Sequence, residues 1–167
     1  FYDPDFWKTV FVSKGENGAV LFQQEESRIL IGNVQSYESD SCRENSEKAF
    51  SRLSSIFSSV DFPVNSIVRQ WNYIENILGF DGAEQRYQAF NNARSEVYRD
   101  LFVKTGYPAA TGIGMNQGGI IIEFIAIISD TLNTTAIDNP EQIAAHSYSK
   151  NVLVGEECVL KTTPKFE

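Results

Sequence analysis

Ile120-Ile121-Ile122-Glu123-Phe124-Ile125-Ala126-Ile127-Ile128 is the longest apolar run in the chain, interrupted once by a carboxylate. It is less than half the roughly 20 residues that a membrane span needs, so it reads as something other than a transmembrane helix. Isoleucines fall on both alternating sets of positions, which is the pattern of a strand covered on both faces. Just upstream, Thr111 to Met115 is also strand-like, and Asn116-Gln117-Gly118-Gly119 between the two predicts a turn that joins them as a hairpin. One face of the long strand must then be covered by something other than the chain's own helices, for which a neighbouring subunit is the natural candidate.

Working back from this strand, Gly106 and Pro108 close a helical pattern in which Tyr87, Phe90, Val97, Tyr98, Leu101 and Phe102 share a face, beginning after Asp81-Gly82. Ser66 to Ile74 has the β-branched and aromatic content of a strand, and Pro63 separates it from an earlier helix. That helix opens on a capping box, Ser41 with Glu44, and carries Ala49, Phe50, Leu53, Ile56, Phe57 and Val60 at helical spacing. Its serines (Ser51, Ser54, Ser55, Ser58, Ser59) read as a solvated face. Three strands come first: Thr9 to Val12, Gly18 to Gln23 after Gly15-Glu16-Asn17-Gly18, and Arg28 to Val34. Phe1 to Trp7 reads as an aromatic arm, and the polar stretch from Asn133, with Pro140 and Pro164, as a tail packed on the sheet. The order β-β-β-α-β-α-β-β predicts an α+β fold, a mixed sheet with two helices packed on one face.

The 167 residues suit one domain, and 42% apolar residues supply a core. With 22 Asp+Glu against 14 Lys+Arg the net charge is −8, which repels phosphate backbones and argues against nucleic acid as a partner. No membrane segment is legible. Cys42 and Cys158 form no metal or disulfide pattern, which fits a reducing, cytoplasmic setting. His146 is the only histidine, so histidine-based metal sites and Ser-His-acid triads are not expected, and no cofactor is implied. The chain begins with Phe1 rather than Met and shows no signal-peptide pattern, which reads as a piece of a longer product. Gly112-Ile113-Gly114 precedes no helix and reads as close strand packing, and the Asn133-Thr134-Thr135 sequon reads as silent.

Glu123 stands out, because a carboxylate amid isoleucines must be paired, protonated or facing a cleft. Either burial prepares it for general-acid work, or it forms a structural pair with Arg69. Arg94, among Tyr87, Phe90, Asn91 and Tyr98, is suited to gripping a carboxylate in bidentate fashion, though it could equally be a helix-surface arginine. The predicted site brings Tyr87, Arg94, Tyr107 and Thr111 together with Glu123. Arg94 holds a small carboxylate ligand, Tyr107 and Thr111 orient it, and Glu123 or Glu167 donates a proton.

The element order, with Arg86-Tyr87-Gln88-Ala89-Phe90-Asn91-Asn92-Ala93-Arg94, Tyr107-Pro108-Ala109-Ala110-Thr111-Gly112-Ile113-Gly114 and Ile122-Glu123-Phe124-Ile125-Ala126-Ile127, resembles the RidA/YjgF (endoribonuclease L-PSP-like) family from about Arg28 to Ser129. The resemblance implies a chorismate-mutase-like fold, a homotrimer and clefts between subunits. It also implies three parts: residues 1–27 as arm and first strands, 28–132 as the RidA-like core, and 133–167 as a tail packed on that core. The family's imine deaminases carry an arginine where Ala110 stands and a glutamate where Ile125 stands, so imine deamination is disfavoured.

Tyr87-x-x-Phe90-Asn91-x-Ala93-Arg94 with Pro108-Ala109-x-Thr111-Gly112-Ile113-Gly114 looks closest to the C-terminal domain of chorismatases, which hydrolyse chorismate or eliminate pyruvate from it. The tail, Asn139-Pro140-x-Gln142 and then Thr163-Pro164-Lys165-Phe166-Glu167, is similar as well, and makes Glu167 the counterpart by position of that family's general acid. The third strand keeps only Glu38-Ser39 of the family pattern. On this resemblance an N-terminal domain that closes the active site is missing from the chain. The alternative is a non-catalytic, trimeric ligand-binding or regulatory module, which the loss of the arginine at Ala110 supports.

Overall fold

The computed structural model describes residues 8–14, 17–24, 26–103 and 106–130. Strands β1 (Lys8–Lys14), β2 (Asn17–Gln23) and β3 (Ser27–Ser36) lead into helix α1 (Cys42–Ser59). A 3₁₀ turn (Val64–Ser66) precedes β4 (Ile67–Glu75), and a two-rung ribbon of β5 (Phe80–Asp81) and β6 (Glu84–Gln85) precedes α2 (Arg86–Tyr98). Strands β7 (Ala109–Met115) and β8 (Ile120–Ser129) follow. The predicted tail, the aromatic arm, Glu167 and His146 lie outside the described residues. Among the described residues no helix is long and apolar enough to cross a membrane.

The six main strands lie in the order β1-β2-β3-β8-β4-β7, antiparallel throughout except for the parallel pair β4 and β7. The α+β class is therefore the observed one. The predicted hairpin of β7 and β8 does not form, because β4 lies between them. The turn is nonetheless tight. Glu75 at the end of β4 accepts the backbone N–H groups of Gly118 (3.0 Å) and Gly119 (2.7 Å), and its own N–H donates to the Gly119 carbonyl at 2.8 Å. The turn thus hands β8 to β4 on one side and β3 on the other.

Both helices cover the same face. Phe57 of α1 packs on Phe124 of β8 at 5.0 Å between centroids, Tyr98 of α2 donates to Gln70 of β4 at 2.7 Å, and Gln70 and Phe124 are register partners. Between helices and sheet lie Leu30, Val34, Phe50, Leu53, Phe90 and Ile122, all fully buried. Ser41 caps α1 as expected, its Oγ accepting the Glu44 N–H at 3.3 Å. Asp81 accepts the Cys42 N–H at 2.6 Å and is bridged by Arg86 at 2.5 Å, which ties the start of α1 to the start of α2. Desolvation raises the pKa of the buried Cys42 thiol. The second helix ends at Tyr98, and Leu101 and Phe102 follow in turns, Phe102 buried and Leu101 exposed.

Candidate functional site

The alternation of side chains across a strand divides the predicted site between the two sheet faces. On the helix-covered face, Arg94 is 8% exposed, and its Nε has no hydrogen-bond partner. Among the described residues no carboxylate lies within ion-pair distance of it. Burial lowers the guanidinium's pKa, and the hydroxyls of Tyr87, Tyr98 and Tyr107 oppose that shift. Tyr87 lies against β7, where a Cβ on Gly112 would meet its ring at 3.3 Å. The phenol of Tyr98 is pushed up by desolvation and bonded to Gln70. Arg94, Tyr87 and Tyr107 are thus together, as predicted, but inside a packed layer. Asn91, three residues before Arg94, is 1% exposed with both amide atoms unpartnered, a neighbour the prediction did not use.

Thr111 and Glu123 are elsewhere. Asn33, Glu123, Trp71 and Thr111 are register partners in succession across β3, β8, β4 and β7, so they form one row on the open face. Trp71 separates Thr111 from Glu123, which corrects the prediction that those two are hairpin neighbours. Neither can reach Arg94, because the sheet lies between them. Glu123 is exposed and accepts a hydrogen bond from Tyr73 Oη at 3.1 Å. That bond favours the protonated phenol and raises the Tyr73 pKa.

The alternative pair of Glu123 with Arg69 is also absent. Arg69 instead donates from Nη2 to Thr111 Oγ1 at 2.6 Å and lies over the Trp71 ring, 4.8 Å from its centroid. Beside this row is a trough of about 640 Å³ with Phe11, Ile31, Trp71 and Ile125 as apolar walls and Glu123 and Asn33 as polar groups. Phe11 is 79% exposed there. Arg69 is a charged group on this face that the predicted site did not include. The strict alternation Arg69, Trp71, Tyr73 was the signal that puts a cation and two rings on one face.

The family model for the "Chorismatase FkbO/Hyg5-like, N-terminal" domain matches residues 5–126. A 3-hydroxybenzoate synthase of Streptomyces hygroscopicus is 36% identical over 93 residues, 54% of this chain and 26% of that protein. A chorismatase of the same organism is 27% identical over 140 residues, 82% of this chain and 39% of that one. The chain thus spans well under half the length of these relatives. Among solved structures, a chorismatase superposes with a TM-score of 0.57 at 23% identity, over 70% of this chain and 34% of the other. Rv2704 of Mycobacterium tuberculosis, a member of the YjgF/YER057c/UK114 family, gives 0.52 at 13% identity, over 73% and 99%. The fold is that of RidA/YjgF proteins, as the motifs implied. The matching domain is the N-terminal one, however, where the motif comparison had pointed to the C-terminal domain and to a missing N-terminal partner. By this match the chain belongs to the FkbO/Hyg5-like chorismatase family, through its N-terminal domain.

Proposed function

We propose that this chain is a chorismate-related module that takes part in binding a small carboxylate, with the open sheet face forming one wall of a cleft between subunits or domains. The observation that carries this reading is the open face. A 640 Å³ trough, within the size range of ligand pockets, is lined by the Glu123 carboxylate and the Asn33 amide, and the same sheet face carries the Tyr73 phenol and the Arg69 guanidinium. A second copy covering this face, in a closed homotrimer, would bury Phe11 and Ile31 and complete the cleft, and velocity sedimentation tests this directly. In this reading Glu123 faces the ligand and is the acid available to a chorismatase-like lyase or hydrolase reaction, with Glu167 as the other candidate donor. The relatives named as chorismatase and 3-hydroxybenzoate synthase support the choice of ligand class.

A second reading, a binding module without chemistry, is favoured by one observation: the acid and the buried Arg94 lie on opposite faces, so a single chain does not set a proton donor beside that guanidinium. Incubation of the purified chain with chorismate separates the two. Release of pyruvate, lost in Glu123→Gln, supports the enzyme. Saturable binding of chorismate without pyruvate supports the module. Absence of both overturns the proposal.

A further inference from the structure

Building on the small-carboxylate reading, we infer that Arg69, held by Trp71 and Thr111, is the group that receives the ligand's carboxylate on the open face. The guanidinium is fixed from two sides. Its Cζ lies over the indole, 4.8 Å from the centroid, and one Nη2 hydrogen is taken by Thr111 Oγ1 at 2.6 Å. This fixing reduces the side-chain entropy lost when an anion binds. The remaining N–H groups have no carboxylate within ion-pair distance among the described residues. Thr111 Oγ1, acting as acceptor toward Arg69, keeps its own proton to donate.

The backbone contributes as well. The pairing of β4 with β8 shifts register between Ile67 and Arg69, a bulge that re-aims the next side chain. Ile125, directly across from Arg69, lines the trough, and so does Trp71 on the same strand as Arg69. Glu123 lies two residues along β8 and one strand over. By strand geometry the Cα atoms of Glu123 and Arg69 are about 8 Å apart. The ligand class is therefore a small carboxylate, its charge received by Arg69 with Thr111 beside it on the open face.

The test uses the full chain in a Trp7→Phe background, so that emission reports Trp71 alone. The probes are 3-hydroxybenzoate and benzoate, titrated by fluorescence and calorimetry. The expectation is saturable binding of both carboxylates with a change in Trp71 emission, and a loss of about tenfold or more in Arg69→Gln, as for a lost charged hydrogen bond. Thr111→Val should weaken binding less, and the double variant should lose no more than Arg69→Gln alone. Arg99→Gln, an exposed arginine at the end of α2, serves as the charge control. Unchanged affinity in Arg69→Gln, with the parent binding well, overturns the assignment while leaving the carboxylate reading intact. No carboxylate binding to the parent overturns both. A changed sedimentation coefficient in Arg69→Gln with unaltered affinity shows that a carboxylate of a second copy takes the guanidinium, and also overturns the assignment.

Discussion

Tyr98→Phe is a sharp test of the packed layer beneath the sheet. The ring is fully buried, edge-on to Phe50 at 5.5 Å and tilted on Phe102 at 4.8 Å, and phenylalanine keeps all of that packing. Only the hydroxyl goes. It is the donor to Gln70 Oε1 at 2.7 Å, and the amide of Gln70 is turned the other way, donating to Asn72 Oδ1. Gln70 is fully buried, so its carbonyl oxygen is left without a donor. An orphaned buried acceptor costs about 1–3 kcal/mol, far more than the few tenths expected of a surface hydroxyl. For a domain of this size about 2 kcal/mol lowers the melting temperature by roughly 4–8 °C. Urea denaturation monitored by circular dichroism gives the same quantity as a shifted midpoint at unchanged slope. Tyr73→Phe, whose hydroxyl meets Glu123 on the open face, should melt with the parent. Equal stability of the Tyr98→Phe protein and the parent would refute the reasoning.

Gly119→Ala should destabilise by at least about 2 kcal/mol, because φ is +68° and a Cβ would meet the Ser36 carbonyl oxygen at 2.2 Å; a midpoint within error of the parent would contradict this. Arg52 and Ser36, both bonded to Glu38, hold its carboxyl at about 2, below the ordinary 4.5, so its contribution is complete above 4.5 and is lost as pH falls through about 2. The pair is half-exposed, so the gap between parent and Glu38→Gln should stay below about 1 kcal/mol near neutrality and close in acid, and a gap that widens in acid would reverse the assignment. Arg94→Met should leave stability unchanged or raised, since it removes a buried guanidinium that has no carboxylate among the described residues, and a loss beyond about 2 kcal/mol in thermal melts would show the charge to be well bonded. Hydrolysis of 2-iminobutyrate should be absent, because Ala110 supplies no guanidinium, and rapid turnover in a coupled assay would show otherwise.

The elements were legible because each is written locally. The capping box at Ser41, the helical spacing through Val60 and the isoleucine run each name their own structure. Strand neighbours are not local. The turn at Asn116 to Gly119 looked like a hairpin, and nothing near it in sequence says that β4, some forty residues earlier, enters between the two strands. The site was misread for the same reason. Once β4 separates β7 from β8, Trp71 stands between Thr111 and Glu123, and alternation assigns both to the face away from α2. Arg94 does lie near Tyr87 and Tyr107, since helix periodicity and the loop into β7 are short-range signals.

The place of β8 also bears on how the chain acquires its structure. The last strand to be synthesised among those described is the one that joins β3 to β4, and Ile120, Ile122, Phe124 and Ala126 seal the interior along its whole length. In the folded sheet the other strands fall into two groups, β1 to β3 and β4 with β7, that share no ladder except through β8. Completing the sheet therefore needs a segment that pairs with β3 on one side and β4 on the other, contacts distant in sequence that should make this step slow. A chain cut at Gln117 and Gly118 should leave the upstream fragment with an open slot shaped for one strand, into which a synthetic peptide carrying residues 118–130 would insert.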